Sequence, residues 1–263
     1  MATRVPQVDA VSELQNAFTV LFRNWVLAVP TALVSLLAAV FAVFMVAGLM
    51  ASVMGAGMMG GMHPNAAGAI LASGGITVLL GVIVLVLLSL VANAVVVASA
   101  ERVWHGEAAD LSAGFSKALS KLGPLIVLFI IAAVIGFICS ILALALGLGI
   151  ILGIVLLFFF MYTIPAVVVG NRGAMEALGE SSRLVRANVG PSAIAFLGLI
   201  VVNIIGAVIT NLFHAIPFLS IVLSFVVGGL IAAYSALVTV RFYDVLSGTP
   251  AGRVPVAPTA PSM

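Results

Sequence analysis

Residues 24–100 read NWVLAVPTALVSLLAAVFAVFMVAGLMASVMGAGMMGGMHPNAAGAILASGGITVLLGVIVLVLLSLVANAVVVASA, 77 positions without one Asp, Glu, Lys or Arg. A helix crossing a bilayer needs about 20 apolar residues. This stretch is too long for one crossing and suits two, with a turn where Gly55, Gly57, Gly60, Gly61, His63, Pro64 and Asn65 cluster. Spans are therefore predicted at about 26–51 and 69–99. Two further uncharged stretches follow, residues 122–171 (50 positions) and 187–240 (54 positions). The first turns at Gly147 and Gly149, giving spans at about 126–146 and 150–169; the second turns near Asn211, His214 and Pro217, giving about 192–210 and 218–240.

Composition agrees. Of 263 residues, 64% are apolar and 7% charged, against about 25% charged in an ordinary soluble chain. The fold predicted is all-α, a polytopic membrane bundle of six transmembrane helices in three hairpins, occupying residues 1–249. Residues 250–263 carry Pro250, Pro255, Pro258 and Pro261 with few large apolar residues, and are read as a disordered cytoplasmic tail. A net charge of +2 offers no basic patch for nucleic acid, which is excluded as a partner. The single cysteine, Cys139, cannot form a disulfide within the chain. Arg4, Asp9, Glu13 and Arg23 precede the first apolar stretch, unlike a cleaved signal peptide, so the first span is expected to be retained.

Alternating spans place Arg4, Arg23, Arg102, Lys117, Lys121, Arg172, Arg183, Arg186, Arg241 and Arg253 on one side and no Lys or Arg on the other. The positive-inside rule then puts both termini in the cytoplasm of a prokaryotic cell, the protein lying in the plasma membrane. Trp25 and Trp104 fall beside cytoplasmic span ends, where an indole is at home.

Three short cytoplasmic segments carry a helical period. The first has Val8, Val11, Leu14, Phe18 and Leu21 on one stripe; the second has Leu111, Phe115, Ala118, Leu119 and Leu122, with Asp110 as its cap. The third has Met175, Leu178, Ser182 and Val185 against Glu176, Glu180, Arg183 and Arg186. Each is predicted to be an amphipathic interfacial helix, followed by a short break and a hairpin. The breaks resemble one another: Phe22-Arg23-Asn24-Trp25, Ser120-Lys121-Leu122-Gly123-Pro124 and Arg186-Ala187-Asn188-Val189-Gly190-Pro191. This pattern points to a threefold parallel pseudo-repeat, with three independent hairpins as the alternative.

Tyr162-Thr163-Ile164-Pro165-Ala166-Val167-Val168-Val169, then Asn171-Arg172-Gly173-Ala174-Met175-Glu176-Ala177-Leu178 and Ser181-Ser182-Arg183-Leu184-Val185-Arg186-Ala187-Asn188, resembles the membrane domain attached to some bacterial glycerophosphoryl diester phosphodiesterases and related six-span proteins. The likeness covers about 30 residues and implies the fold rather than an activity. The soluble catalytic barrel of those enzymes has no counterpart in this sequence.

Function must come from particular side chains. Within the six spans as bounded above there is no Asp, Glu, Lys, Arg or His, which argues against an intramembrane proton relay or carboxylate pair. His105, Glu107 and Asp110, and the Glu101–Arg102 pair, are read as solvated linker residues and span-end anchors. Asn93 and Asn203 should face other helices or a cavity, because a carboxamide facing hydrocarbon strands its donors. With Tyr162, Tyr234 and the bend expected at Pro165, they form the candidate ligand-contacting set. Met54, Met58 and Met62, four apart, with His63, form a candidate soft site for monovalent copper or silver, or equally an irregular hairpin tip. Glu176, Glu180 and Arg183 are the candidate partner-binding face. The leading expectation is a non-enzymatic accessory or organising protein that meets membrane lipids and an integral membrane partner or a second copy of itself. A carrier of an apolar or lipid-like molecule comes second and an intramembrane enzyme third; no cofactor is expected.

Overall fold

A computed structural model describes residues 9–58, 64–146, 148–213 and 217–248. The described residues are helical almost throughout, with no strand, and six helices are long and apolar enough to cross a membrane. The chain is a multi-pass helical bundle. Its proposed C-terminal tail and the tip carrying Met62 and His63 lie outside the described residues.

The elements follow one order three times. A short helix α1 (Ala10–Arg23) and a 3-10 turn (Trp25–Ala28) lead into the hairpin of α2 (Val29–Met58) and α3 (Pro64–Trp104). Short α4 (Leu111–Ser120) leads into α5 (Leu122–Leu146), which returns as α6 (Gly149–Phe159) and α7 (Thr163–Val168). Short α8 (Ala174–Ala187) leads into α9 (Val189–Leu212) and α10 (Pro217–Ser247).

Local chemistry sets these boundaries. The Asp9 carboxylate accepts from the amides of Val11 and Ser12 at 3.2 and 3.3 Å, and Asp110 from those of Ser112 and Ala113 at 2.9 and 3.1 Å, capping α1 and α4. Glu176 reaches back to accept from the Gly173 amide at 3.3 Å and closes the first turn of α8. Each short helix ends on one non-helical residue, Asn24, Lys121 or Asn188, after which the next helical element begins at once. Asn24 and Asn188 use the same device: each carboxamide donates to the carbonyl four residues back, Val20 or Leu184, at 3.1 Å.

Aligned on these breaks, the short helices share an inner face. Seven residues before the break stand Ala17, Gly114 and Ser181; three before it stand Leu21, Ala118 and Val185; all six are buried. Of the apolar stripes, Leu21, Ala118 and Val185 turn to this face, whereas Val11, Phe18, Phe115, Leu119 and Met175 are exposed, as an interfacial helix allows. Small residues take the inside because they let helix backbones approach closely, the main source of attraction where lipid competes equally for large apolar groups. At Gly114 an added Cβ would meet the Ser99 hydroxyl at 2.3 Å and the Val95 carbonyl at 2.9 Å, so α4 can lie this close to α3 only with glycine there.

The core sits at the end of the bundle that carries the charges. There the three returning elements α3, α7 and α10 touch one another, and each is covered by a short helix: α3 by α4, α7 by α8, and α10 by α1. The last helix thus packs on the first, closing the repeats into a ring. Val96, Ala98 and Ala100, then Ala166 to Val168, then Leu237, Val238 and Val240, are buried. Away from this end, large apolar groups such as Phe44, Phe137, Leu157 and Ile204 point outward, as a lipid-facing surface requires.

Two boundaries differ from the sequence reading. α3 and α10 continue as unbroken helices beyond residues 99 and 240, so Glu101, Arg102, Arg241 and Asp244 belong to the same helices that cross the membrane. At 41 residues, α3 measures about 60 Å, twice the ~30 Å of a hydrocarbon core, and must project from it.

Candidate functional site

The charged end is held by pairs that tie distant parts of the chain. Arg241 of α10 grips Glu13 of α1 through two bonds, at 2.8 and 3.0 Å, with both side chains more than four-fifths buried, and its guanidinium lies 5.1 Å from the ring centre of Trp104. Trp104, itself buried, donates from its indole to the Leu237 carbonyl at 2.9 Å. On the neighbouring side Lys117 of α4 pairs with Glu101 of α3. The same joint, a returning helix clamped to a short helix by an ion pair, occurs with opposite sign in the two places.

Between the end of α3 and α4 these groups leave a recess of about 350 Å³. Its walls include Glu101, Arg102, His105, Glu107 and Lys117, with Gly114 in α4. Arg102 bonds Glu107 at 2.7 Å and stands 4.0 Å from Asp110. His105 Nδ1 is 2.7 Å from the Glu101 carbonyl, which fixes the ring. Nε of Arg102, on the wall, is buried with no hydrogen-bond partner among the described residues, as is Oδ2 of Asp244, which does not line the recess. Asp244 is 2% exposed and within electrostatic range of Glu101, His105, Lys117 and Arg241.

A second polar assembly lies where the fourth span is interrupted. Pro165 has no N–H to offer Met161, and its ring crowds the preceding turn. The ladder accordingly opens one turn earlier, at Phe160–Tyr162. Ser181 fills the gap from α8: its hydroxyl donates to the Phe159 carbonyl at 2.8 Å and accepts from the Tyr162 amide at 3.1 Å. The break does not form a groove at Pro165, which is buried. Arg172 donates to Glu180 at 2.7 Å, and the Tyr243 hydroxyl donates to the other oxygen of the same carboxylate at 3.1 Å, tying α8 to α10. Glu180 beside it holds the Arg172 guanidinium above the usual arginine range.

The candidate residues from sequence are not gathered into one place. Tyr162 is fully buried with its hydroxyl 3.3 Å from that of Ser192, and Tyr234 is buried with its hydroxyl donating to the Leu14 carbonyl at 3.2 Å and its ring 4.2 Å from that of Phe18. Among the described residues Asn93 and Asn203 show no cross-helix bond: each carboxamide donates at 2.8 Å to its own helix, to the Ser89 and Leu199 carbonyls respectively. Bonding four residues back satisfies the donor without a neighbour, and Asn203 is exposed on the outer face of α9. Replacing Asn203 by leucine should therefore change stability by less than about 1 kcal/mol in either direction, read from thermal unfolding in detergent. A larger loss would mean that Asn203 makes a contact beyond its own helix. Of the proposed partner face, Arg183 and Glu176 are exposed, whereas Glu180 is turned into the contact with Tyr243 and Arg172. Met54 and Met58 belong to the last turns of α2, and Met62 and His63 lie outside the described residues. Among the described residues no three His, Cys, Asp or Glu side chains are grouped to hold a metal.

The recess and the Glu13–Arg241 joint escaped the sequence reading. The nearness of His105, Glu107 and Asp110 to Glu101 and Arg102 was visible along the chain, but Lys117 and Arg241 reach it only through folding. What fold and site define together is a six-span all-α membrane protein with a charged, polar-walled recess at one end of its core. Compared with family models, curated proteins and solved structures, the chain matches none.

Proposed function

We propose that this chain is a non-enzymatic accessory or organising protein of a prokaryotic plasma membrane, with both termini in the cytoplasm, that acts by laying three short helices on the inner lipid surface. One observation carries the reading. At equivalent places in the short helices, large apolar side chains remain uncovered: Val11 and Met175 thirteen residues before their breaks, Phe18 and Phe115 six before, Phe22 and Leu119 two before. A packed bundle that leaves these residues outside beside cationic groups such as Arg23 and Arg186 suits a boundary between acyl chains and headgroups. The pairing of most charged-end carboxylates with cations supports a scaffolding role for them rather than a catalytic one. The likeness to the phosphodiesterase-associated membrane domain fits the same reading, because its residues Tyr162, Pro165, Ser181 and Asn188 build the interrupted span and its closure.

Depth measurement tests this. In a Cys139→Ala background, Phe18→Cys and Phe115→Cys would carry an environment-sensitive fluorophore in vesicles containing lipids brominated at graded depths. Quenching should be strongest with bromines near the headgroup, and these cysteines should stay unreactive to an impermeant reagent outside intact cells. Fluorophores quenched by aqueous iodide and untouched by brominated lipid would refute the surface-helix reading; labelling from outside would refute the orientation.

A further inference from the structure

We propose that the recess between the end of α3 and α4 binds a zwitterionic group carrying both an ammonium and a phosphate, and that its source is the headgroup of phosphatidylethanolamine. The lipid source rests on the reading that the short helices lie at headgroup depth; the zwitterion chemistry does not.

The walls carry both signs within one small volume. Arg102 and Lys117 can donate to a phosphate, while Glu101 and Glu107 can accept from an ammonium. A recess of about 350 Å³ is at the lower end of ligand-pocket size, suited to a headgroup rather than to a whole lipid. Polar groups buried without partners are rare in native proteins, yet Nε of Arg102, on a side chain that lines the recess, is left so. An anion alone would meet Arg102 and Lys117 but be repelled by Glu101 and Glu107; a cation alone would do the reverse. A zwitterion suits both signs, its phosphate taken by Arg102 and Lys117 and its ammonium drawn to Glu101 and Glu107. Access fits as well: Arg102 and Glu107 are only partly covered, and Phe115 and Leu119, on the α4 helix that forms one wall, are exposed apolar groups beside which the acyl chains of a seated lipid would run.

The occupants of the walls allow a test with two signatures. Arg102→Gln removes the phosphate donor. Glu107→Gln removes a carboxylate from the rim, leaves Arg102 with Asp110 alone at 4.0 Å, and has little effect on the core because Glu107 is more than half exposed. Purified full-length protein in an uncharged glycoside detergent would be titrated calorimetrically with phosphoethanolamine and with inorganic phosphate. The wild type should bind phosphoethanolamine saturably and prefer it. Arg102→Gln should weaken it by about tenfold or more, the factor carried by one charge-assisted hydrogen bond. Glu107→Gln should erase the preference by weakening phosphoethanolamine and leaving phosphate equal or tighter. Native mass spectrometry after extraction from vesicles of phosphatidylethanolamine and phosphatidylglycerol in equal amounts then identifies the source: retained phosphatidylethanolamine, lost in Arg102→Gln, supports the headgroup. Binding of free phosphoethanolamine with no lipid retained would overturn the lipid source and uphold the zwitterion site. No saturable binding, or binding that both variants leave unchanged, would overturn the proposal whatever the depth measurement gives. Arg102→Lys, which keeps the charge and removes the orphan donor, guards against misfolding; a folded Arg102→Lys protein with full affinity would also count against it.

Discussion

Replacing Ser181 by alanine is expected to destabilise the protein by about 2–4 kcal/mol, because one hydroxyl serves two buried backbone groups that the interrupted span cannot satisfy itself. The Phe159 carbonyl and the Tyr162 amide face each other across the opening before Pro165, and both bonds end on the same oxygen of a side chain that is wholly buried. Alanine would keep the small volume that lets α8 approach and remove only the bonding, so the loss reports unsatisfied groups rather than repacking. Ser182→Ala provides the comparison. Its hydroxyl donates to the Gly179 carbonyl within its own helix at 2.9 Å, and its loss should cost no more than about 0.5 kcal/mol. Chemical denaturation in mixed micelles, followed by circular dichroism, measures both. Equal losses for the two serines would mean that the span break is satisfied in some other way.

The break also shows what the chain discloses about its fold and what it withholds. Spans were legible because a bilayer penalises charge so heavily that three uncharged stretches of at least 50 residues have one plausible use. Pro165 announced an interruption. That Ser181 would close it was hidden, since nothing local distinguishes Ser181 from Ser182 except which side of α8 faces the core. The same difficulty applies to all three short helices. Hydrophobic periodicity sets Phe18 with Leu21, Phe115 with Ala118 and Met175 with Val185 on common stripes, without saying which of each pair faces the bundle. Near a membrane large apolar groups have an apolar solvent available as well as a core, and close approach by Ala17, Gly114 and Ser181 wins the inner face.

Charges misled at the span ends for a related reason. The predicted spans stop at about residues 99 and 240, and both helices run on past them through Glu101 and Arg241, each with its counter-ion on a short helix. A helix does not end where charge begins if folding supplies the partner. Arg241 and Glu13 stand 228 positions apart, so no window along the sequence could have joined them. The recess follows from the same joints: it opens where α4 lies against the extended end of α3, and its candidate role depends on groups that the linear reading had assigned to solvent.

Arg241 should prove the most sensitive of the charged residues, and not equally with its partner. Arg241→Met is expected to cost about 3–5 kcal/mol, the usual loss when one member of a buried ion pair is removed, with the contact to Trp104 included. Glu13→Gln should cost less, about 1–2 kcal/mol, since an amide can still accept from the guanidinium and no charge is stranded in the core. The asymmetry arises from Asp244. With Arg241 gone, both Glu13 and the buried Asp244 lose a nearby positive charge; with Glu13 neutralised, Arg241 still has Asp244 in range. Adding Asp244→Asn to Arg241→Met should therefore recover about 1–2 kcal/mol, a non-additivity of the size found for residues sharing one charge network. Exchanging the pair, Glu13→Arg with Arg241→Glu, should fail to restore stability, because it sets a second carboxylate beside Asp244 in a buried position. Thermal and denaturant unfolding of these variants in the same detergent measure every term. Equal losses from Glu13→Gln and Arg241→Met, or full rescue by the exchange, would show that the joint is an isolated ion pair and that Asp244 takes no part in it.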